Sequence, residues 1–79
     1  MLKNIEVVEW GVLEEAVKED RDLSSIMFPA NPMNKIEAEW LFQEELEKHP
    51  WKAEDRVTET GVSIKALRVV KKTTLISYE

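Results

Sequence analysis

The chain has 79 residues, a net charge of −5 and no cysteine, which predicts one small domain, residues 1–79, without disulfides or thiolate metal sites. Its single histidine, His49, excludes a His-rich metal centre, and we expect no cofactor. No segment approaches the roughly 20 apolar residues of a membrane span, and the first residues lack the basic-then-apolar layout of a signal peptide. We therefore predict a cytoplasmic protein.

The charges are divided unevenly along the chain. Residues 1–47 contain twelve acidic and four basic residues, whereas residues 48–79 contain four acidic and seven basic residues. The simplest interpretation is that acidic helices pack over a basic sheet. A second interpretation is an acidic surface that attracts a basic protein partner. Direct nucleic-acid binding is the least favoured, because the chain as a whole repels phosphate.

The first 22 residues predict a strand followed by a helix. Residues 3–10 alternate between apolar and polar side chains, which is typical of a strand, and Gly11 is expected to end it. Residues 12–22 carry apolar side chains at i, i+1, i+4 and i+5, with charged residues between them. This spacing indicates an amphipathic helix that needs no functional explanation.

Residues 23–33 are predicted to be irregular, because Pro29 and Pro32 remove two hydrogen-bond donors and fix two φ angles. The segment is nevertheless apolar for a loop. Its side chains either fold back onto the core or are presented as a binding loop on a rigid scaffold. The apolar residues in question are Ile26, Met27, Phe28 and Met33.

A second helix is predicted over residues 34–48. Asn34 can cap its N-terminus, and Glu37, three residues later, can complete a capping box. Glu44 and Lys48 form a supporting i, i+4 pair. The helix must end before Pro50.

Trp40, Leu41 and Phe42 are three consecutive large apolar residues within this second helix. Consecutive helical residues differ by about 100°, so these three spread over roughly 200° of the helix surface. A helix that packs on one core needs an apolar stripe only somewhat wider than about 100°. Either the helix is sandwiched between two layers, or one of its apolar faces contacts another chain.

The remainder of the chain is predicted to be sheet. Residues 56–59 and 62–70 flank a plausible hairpin turn at Thr60 and Gly61. A single strand from 62 to 78 would be about 55 Å long, so we expect a further turn at Lys71 and Lys72 and a last strand over residues 73–78.

These elements define an α+β fold with the order β-α-α-β-β-β. An antiparallel C-terminal meander is expected to pack against the two helices. The alternation of apolar residues changes sides at Ala66 and Leu67, which predicts a β-bulge there or a strand covered on both faces.

We find no sequence motif for catalysis. Phosphate-binding loops need several glycines, and the chain has only two. Pairs of carboxylates are plentiful, but sixteen acidic residues generate such pairs by chance. His49 is predicted to lie at the helix C-terminus, interacting with free carbonyl groups. We therefore predict that the protein is not an enzyme.

The sequence favours a small non-enzymatic protein-binding regulator, such as an inhibitor, adaptor or assembly factor. Proteins of this size and charge are common among phage and mobile-element regulators, which is an analogy of format only. We expect Trp40, Phe42 and Trp51 to act as aromatic anchors, because Trp dominates interface hot spots. Acidic residues are expected to form a rim that orients a basic partner. They are Glu37, Glu44, Glu45 and Glu47.

Two alternatives remain open from the sequence. In the first, the protein is a structural homo-oligomer whose own helices bury the extra apolar face, with its function on the basic sheet. Its last strand, 73–78, gives a second route to self-association if it lies at a sheet edge. In the second, the C-terminal strands bind nucleic acid weakly. The residues concerned would be Lys65, Arg68, Lys71, Lys72 and Tyr78.

Overall fold

A computed structural model describes residues 2–79 of the chain. In this part of the chain, one α-helix and seven β-strands in two antiparallel sheets confirm the α+β class, whereas the predicted order with two helices is wrong. The strands are β1 (Lys3–Glu14), β2 (Ala16–Lys18), β3 (Arg21–Asp22), β4 (Ser25–Met27), β5 (Arg56–Val57), β6 (Ser63–Ile64) and β7 (Arg68–Tyr78). The helix α1 spans Lys35–Lys48 and is followed by a 3-10 helix at Pro50–Ala53.

The larger sheet has the strand order β4-β1-β7. Strands β1 and β7 pair antiparallel over eleven residues, from Lys3 opposite Tyr78 to Leu13 opposite Arg68. The two ends of the chain therefore lie side by side. The predicted C-terminal meander is wrong, because β7 pairs with the first strand rather than with the strand that precedes it.

The predicted helix over residues 12–22 is also wrong, since β1 continues to Glu14 and the chain then forms β2 and β3. In a strand, Val12 and Leu13 point to opposite faces of the sheet. Val12 is fully buried, as is Ala38 of α1, which packs on β1, whereas Leu13 lies beside Ile26 of β4. Two adjacent apolar residues can point to opposite faces of a strand, but they also occur side by side in the apolar stripe of a helix. The sequence spacing is the same in both cases.

Gly11 does not end β1, contrary to the prediction. A Cβ atom at this position would lie 2.7 Å from Cγ2 of Ile26 and 2.8 Å from the carbonyl oxygen of Met27. Glycine is therefore needed here for the close approach of β4 to β1, and not to break the strand.

Helix α1 agrees with the prediction. The Asn34 side chain accepts a hydrogen bond from the N–H of Ile36 at 2.9 Å, and Lys48 lies 2.8 Å from Glu44. The capping box is absent, because Glu37 instead accepts from the N–H of Asn31 at 3.3 Å.

The smaller sheet has the order β3-β2-β6-β5. Its β5–β6 hairpin confirms the predicted turn at Thr60 and Gly61, where Gly61 adopts a φ of 85°. The predicted turn at Lys71 and Lys72 is wrong, because the chain leaves the strand earlier, at residues 65–67, where we predicted a bulge. Strand β7 then has eleven residues, about 36 Å, which fits a molecule 54 Å long.

The buried core is small, and the molecule is elongated. The radius of gyration is 15.5 Å, against about 12 Å for a compact chain of this length. The accessible surface of 5935 Å² exceeds the value of about 4,900 Å² that is typical of this mass. The buried apolar residues are Val12, Ala16, Ala38 and Leu67.

Candidate protein-binding surfaces

The side of α1 that faces away from the sheet carries large apolar residues. Ile36 and Trp40 are one helical turn apart and roughly opposite Ala38, which packs inward. Trp40 is 68% exposed, Ile36 is 54% exposed, and Met33, just before the helix, is 69% exposed. We call Met33, Ile36 and Trp40 the outer helix face. Within residues 2–79, therefore, α1 is covered on one side only.

The three predicted aromatic anchors do not lie together. Trp40 points outward, whereas Phe42 follows Ala38 by one turn and is half-buried on the inner side. Trp51 lies beyond the helix, in the 3-10 segment, with its ring centroid 4.9 Å from that of His49. His49 caps α1 as expected, its N–H donating to the carbonyl of Glu45.

Two of the four predicted rim acids contribute to the fold. Glu37 accepts the Asn31 N–H, and Glu45 is half-buried beside Lys52, with 3.4 Å between Oε2 and Nζ. These contacts hold the start and the end of α1 in place.

The other two acids, Glu44 and Glu47, are exposed and follow Trp40 at i+4 and i+7, so the three share one stripe of the helix. The hydrogen bond from Lys48 and the charge of Lys48 lower the pKa of Glu44, and the same hydrogen bond and the charge of Glu44 raise the pKa of Lys48. The stripe therefore combines an exposed indole with two carboxylates.

A cluster of ion pairs near the end of α1 was not predicted. Lys52 Nζ lies 3.6 Å from Glu14 and 3.4 Å from Glu45, and Arg56 lies 3.5 Å from Glu14. All four side chains are less than a third exposed, and they join β1, α1, the 3-10 helix and β5. No local pattern signals this cluster, because its members are far apart in the sequence.

The face of the larger sheet that α1 does not cover is partly apolar. Helix α1 lies over the face that carries Trp10, whose ring has Lys35 Nζ 5.0 Å from its centroid. Four apolar side chains on the opposite face are 38–46% exposed. We call this the open sheet face, and its exposed apolar members are Ile5, Ile26, Phe28 and Ile76.

Strand β7 is an edge strand, as expected for residues 73–78. Strand β1 occupies one side of β7, and no strand within residues 2–79 pairs with its other side. The segment 73–78 carries no charged side chain, and its Leu75 is 65% exposed. An uncharged edge of this kind is open to pairing with another strand.

The four basic residues considered for nucleic-acid binding contact other groups of the same chain. Lys71 and Lys72 point to opposite faces of the sheet, so they do not form one basic patch. Two of the four positive charges are paired with carboxylates. The contacts are Lys65 with Asp55 at 3.6 Å, Arg68 with Glu15 at 3.0 Å, Lys71 over the Trp10 ring and Lys72 over the Phe28 ring.

A shallow depression beside the β5–β6 turn offers no evident chemistry. Its charged residues are Glu15, Glu19 and Lys65, of which Glu15 and Lys65 are each held in an ion pair with a residue outside the lining. Among the residues described, no three His, Asp or Glu side chains are grouped so that they could hold a metal ion.

Comparison of the chain with protein-family models, with curated proteins and with solved structures finds no match. None of the helices formed by residues 2–79 has the length and apolar character needed to cross a membrane. The exposed surfaces of the chain are therefore the features that bear on its function.

Proposed function

We propose that the chain is a small, non-enzymatic, cytoplasmic regulator that binds a partner protein through the outer helix face. The observation that carries this proposal is the exposure of Trp40, 68%, in a helix whose inner side already packs on the sheet. The fold makes little use of this indole. Exposed Trp side chains of this kind commonly provide the central anchor of an interface.

The charges around Trp40 favour a basic partner. Glu44 and Glu47 follow Trp40 by one and two turns on the same stripe of the helix, and the whole chain carries a net charge of −5. Such a field steers a positively charged partner toward the surface and fixes its orientation. Binding there would mask the partner's surface, which is how an inhibitor, adaptor or assembly factor of this size acts.

Substitution of Trp40 tests the proposal. Wild type, Trp40→Ala and the matched control Val57→Ala are immobilised and exposed to extract from the cells that natively express the chain. Val57 is a suitable control because it is 70% exposed but lies in β5, away from α1. We expect a partner that is retained by wild type and by Val57→Ala, with its affinity for Trp40→Ala reduced about 30-fold or more.

The free energy of unfolding of each variant provides a second measurement. Because Trp40 is exposed, Trp40→Ala should change the free energy of unfolding by less than about 0.5 kcal/mol. Phe42→Ala, on the inner side, should lower it by about 2–4 kcal/mol. Retention of the same proteins by Trp40→Ala and by wild type would contradict the proposal.

A further inference from the structure

We propose that β7 pairs antiparallel with β7 of a second copy of this chain, across a two-fold axis at Leu75. The two three-stranded sheets then form one continuous six-stranded sheet. This surface is distinct from the outer helix face. Leu75 lies opposite Glu6 on β1, six residues or about 20 Å along the strand from Val12 beneath the helix.

The distribution of charged residues along β7 favours pairing through the second half of the strand. The first half of β7 carries Arg68, Lys71 and Lys72, and lysine at an exposed edge protects it against pairing. The second half, residues 73–78, has no charge and no proline, and it is rich in β-branched and aromatic residues. This is the composition of a strand that pairs readily.

The other free edge of this sheet is less suitable. In the part of the chain that the structure describes, no strand pairs with residues 3–9 of β1 on the side away from β7, because β4 pairs only with residues 12–14. This stretch contains three charged side chains, Lys3, Glu6 and Glu9. Residues 73–78 carry no charge, so no charged group of this segment would have to be desolvated when it pairs with the same segment of a second copy.

The two-fold axis also determines the register. An axis perpendicular to the sheet keeps each face continuous between the two copies, so residues of the same face must stand opposite one another. Centring on Leu75 places Leu75 opposite its counterpart and Ile76 opposite Thr74. It also places Tyr78 opposite Lys72, an arrangement that allows a cation–π contact.

This register keeps like charges apart. The Lys72 side chains of the two copies would be six residues apart along the strand direction, about 20 Å. Leu75, which is 65% exposed in the single chain, would contact its equivalent instead of water. Burial of that apolar surface favours association.

The shape of the single chain favours a second copy of the chain as the partner that pairs with the free edge of β7. Beyond the helix, β1 and β7 form a ribbon of only two strands, an arrangement that is marginal in water on its own. Pairing makes this part of the sheet four-stranded and makes Ile76 a diagonal neighbour of its counterpart, two residues along the strand. The chain's surplus surface of about 1,000 Å² is comparable with the roughly 800 Å² that each partner loses in a standard interface.

Absolute mass in solution tests the proposal. By light scattering behind a sizing column, we expect the wild-type mass to approach twice 9.2 kDa between about 1 and 200 µM protein. Leu75→Lys, which places two like charges at the axis, should remain monomeric. Trp40→Ala should dimerise as wild type does, which separates this proposal from the function assigned to the outer helix face.

A cysteine scan tests the register. The chain has no cysteine, so a single introduced thiol reports one position. At the axis, Leu75→Cys places two Cα atoms about 5 Å apart, within disulfide range, whereas Ser77→Cys places them about 14 Å apart. With oxidised glutathione as the oxidant, we expect cross-linked dimers of Leu75→Cys only.

Three results would overturn the proposal. They are a monomeric wild type up to about 200 µM, a Leu75→Lys variant that dimerises as wild type does, and equally rapid cross-linking of Ser77→Cys and Leu75→Cys. Self-association lost in Trp40→Ala would also overturn it, because the helix would then be the interface.

Discussion

Gly11 lies where strands β1 and β4 approach one another most closely. We predict that Gly11→Ala lowers the free energy of unfolding by about 1–3 kcal/mol, because its Cβ must displace the Ile26 side chain and the Met27 backbone. Urea denaturation measures this change. The double variant Gly11→Ala/Ile26→Ala should lose less stability than the sum of the single variants, since one clash is removed. Additive losses would contradict this explanation.

Asp55 provides a pH-dependent contact between distant residues. The N–H of Ala66 donates to its carboxylate at 2.7 Å, and this bond, with Lys65 nearby, lowers the pKa of Asp55. Because this pKa is lowered by folding, the stabilisation is present above the unfolded value of about 3.9 and is lost as the pH falls through the folded value.

The thermal midpoints of wild type and Asp55→Asn, measured between pH 2 and 7, test this contribution. We expect wild type to be the more stable at neutral pH and the difference to close in acid. A difference that stays constant over this range would show that the Asp55 charge does not contribute.

The structural role of a residue could be predicted where the residue that it contacts is close in the sequence. Asn34 caps α1 through a residue two positions away, and Glu44 pairs with Lys48 one turn later, so both follow from local spacing. The role of Gly11 depends on a strand fifteen residues further along, and a glycine alone does not distinguish a strand end from a close approach.

At the scale of the elements, Lys52 connects β1 with the end of α1. We predict that Lys52→Met lowers the free energy of unfolding by about 1–2 kcal/mol, because two half-buried carboxylates then lose their common cation. Lys48→Met is the matched control, since its pair with Glu44 is exposed to solvent and should contribute little to stability. Equal effects of the two substitutions would contradict a special role for the cluster.

Helix α1 could be predicted, but the segment over residues 12–22 could not. The helix has a cap, a length of fourteen residues and a proline after its end, and these signals agree. In residues 12–22 the adjacent apolar residues Val12 and Leu13 fit either a helical stripe or a strand covered on both faces. Only the pairing of β1 with β4 and β7, together with the packing of Ala38 on one face of the sheet, resolves this ambiguity.

The C-terminal strands are separate, as their length predicts, but the break between them lies earlier than Lys71 and Lys72. A strand over residues 62–78 is indeed not formed. The chain instead leaves the sheet at 65–67, where the Ala66 N–H bonds Asp55 and the Leu67 N–H bonds the carbonyl of Lys52. These long-range contacts have no local sequence signal.

At the scale of the molecule, the division of charge between the two halves is partly used inside the fold. Acidic residues of the first half pair with basic residues of the second, and of these acidic residues only Glu45 lies on α1, so the arrangement is not one of acidic helices over a basic sheet. These pairs are Glu14 with Lys52 and Arg56, Glu15 with Arg68, and Glu45 with Lys52.

The outer helix face and the β7 edge are separate surfaces, so both can be occupied at once. A pair of chains joined along β7 would leave each Trp40 free, because Val12, which lies beneath the helix, is about 20 Å along the strand from Glu6, the residue opposite Leu75. The dimer would then present two copies of the proposed binding surface. Such a pair would bind a repetitive or dimeric partner more tightly than one chain does.

Hydrogen exchange of the backbone amides of residues 73–78 tests the central claim most directly. In a single chain, alternate N–H groups of an edge strand point to solvent and exchange rapidly. In the dimer, we predict that these groups also become protected at high protein concentration in wild type and in Trp40→Ala. In Leu75→Lys they should remain fast. An alternating pattern of fast and slow amides in wild type at every concentration would contradict pairing along β7.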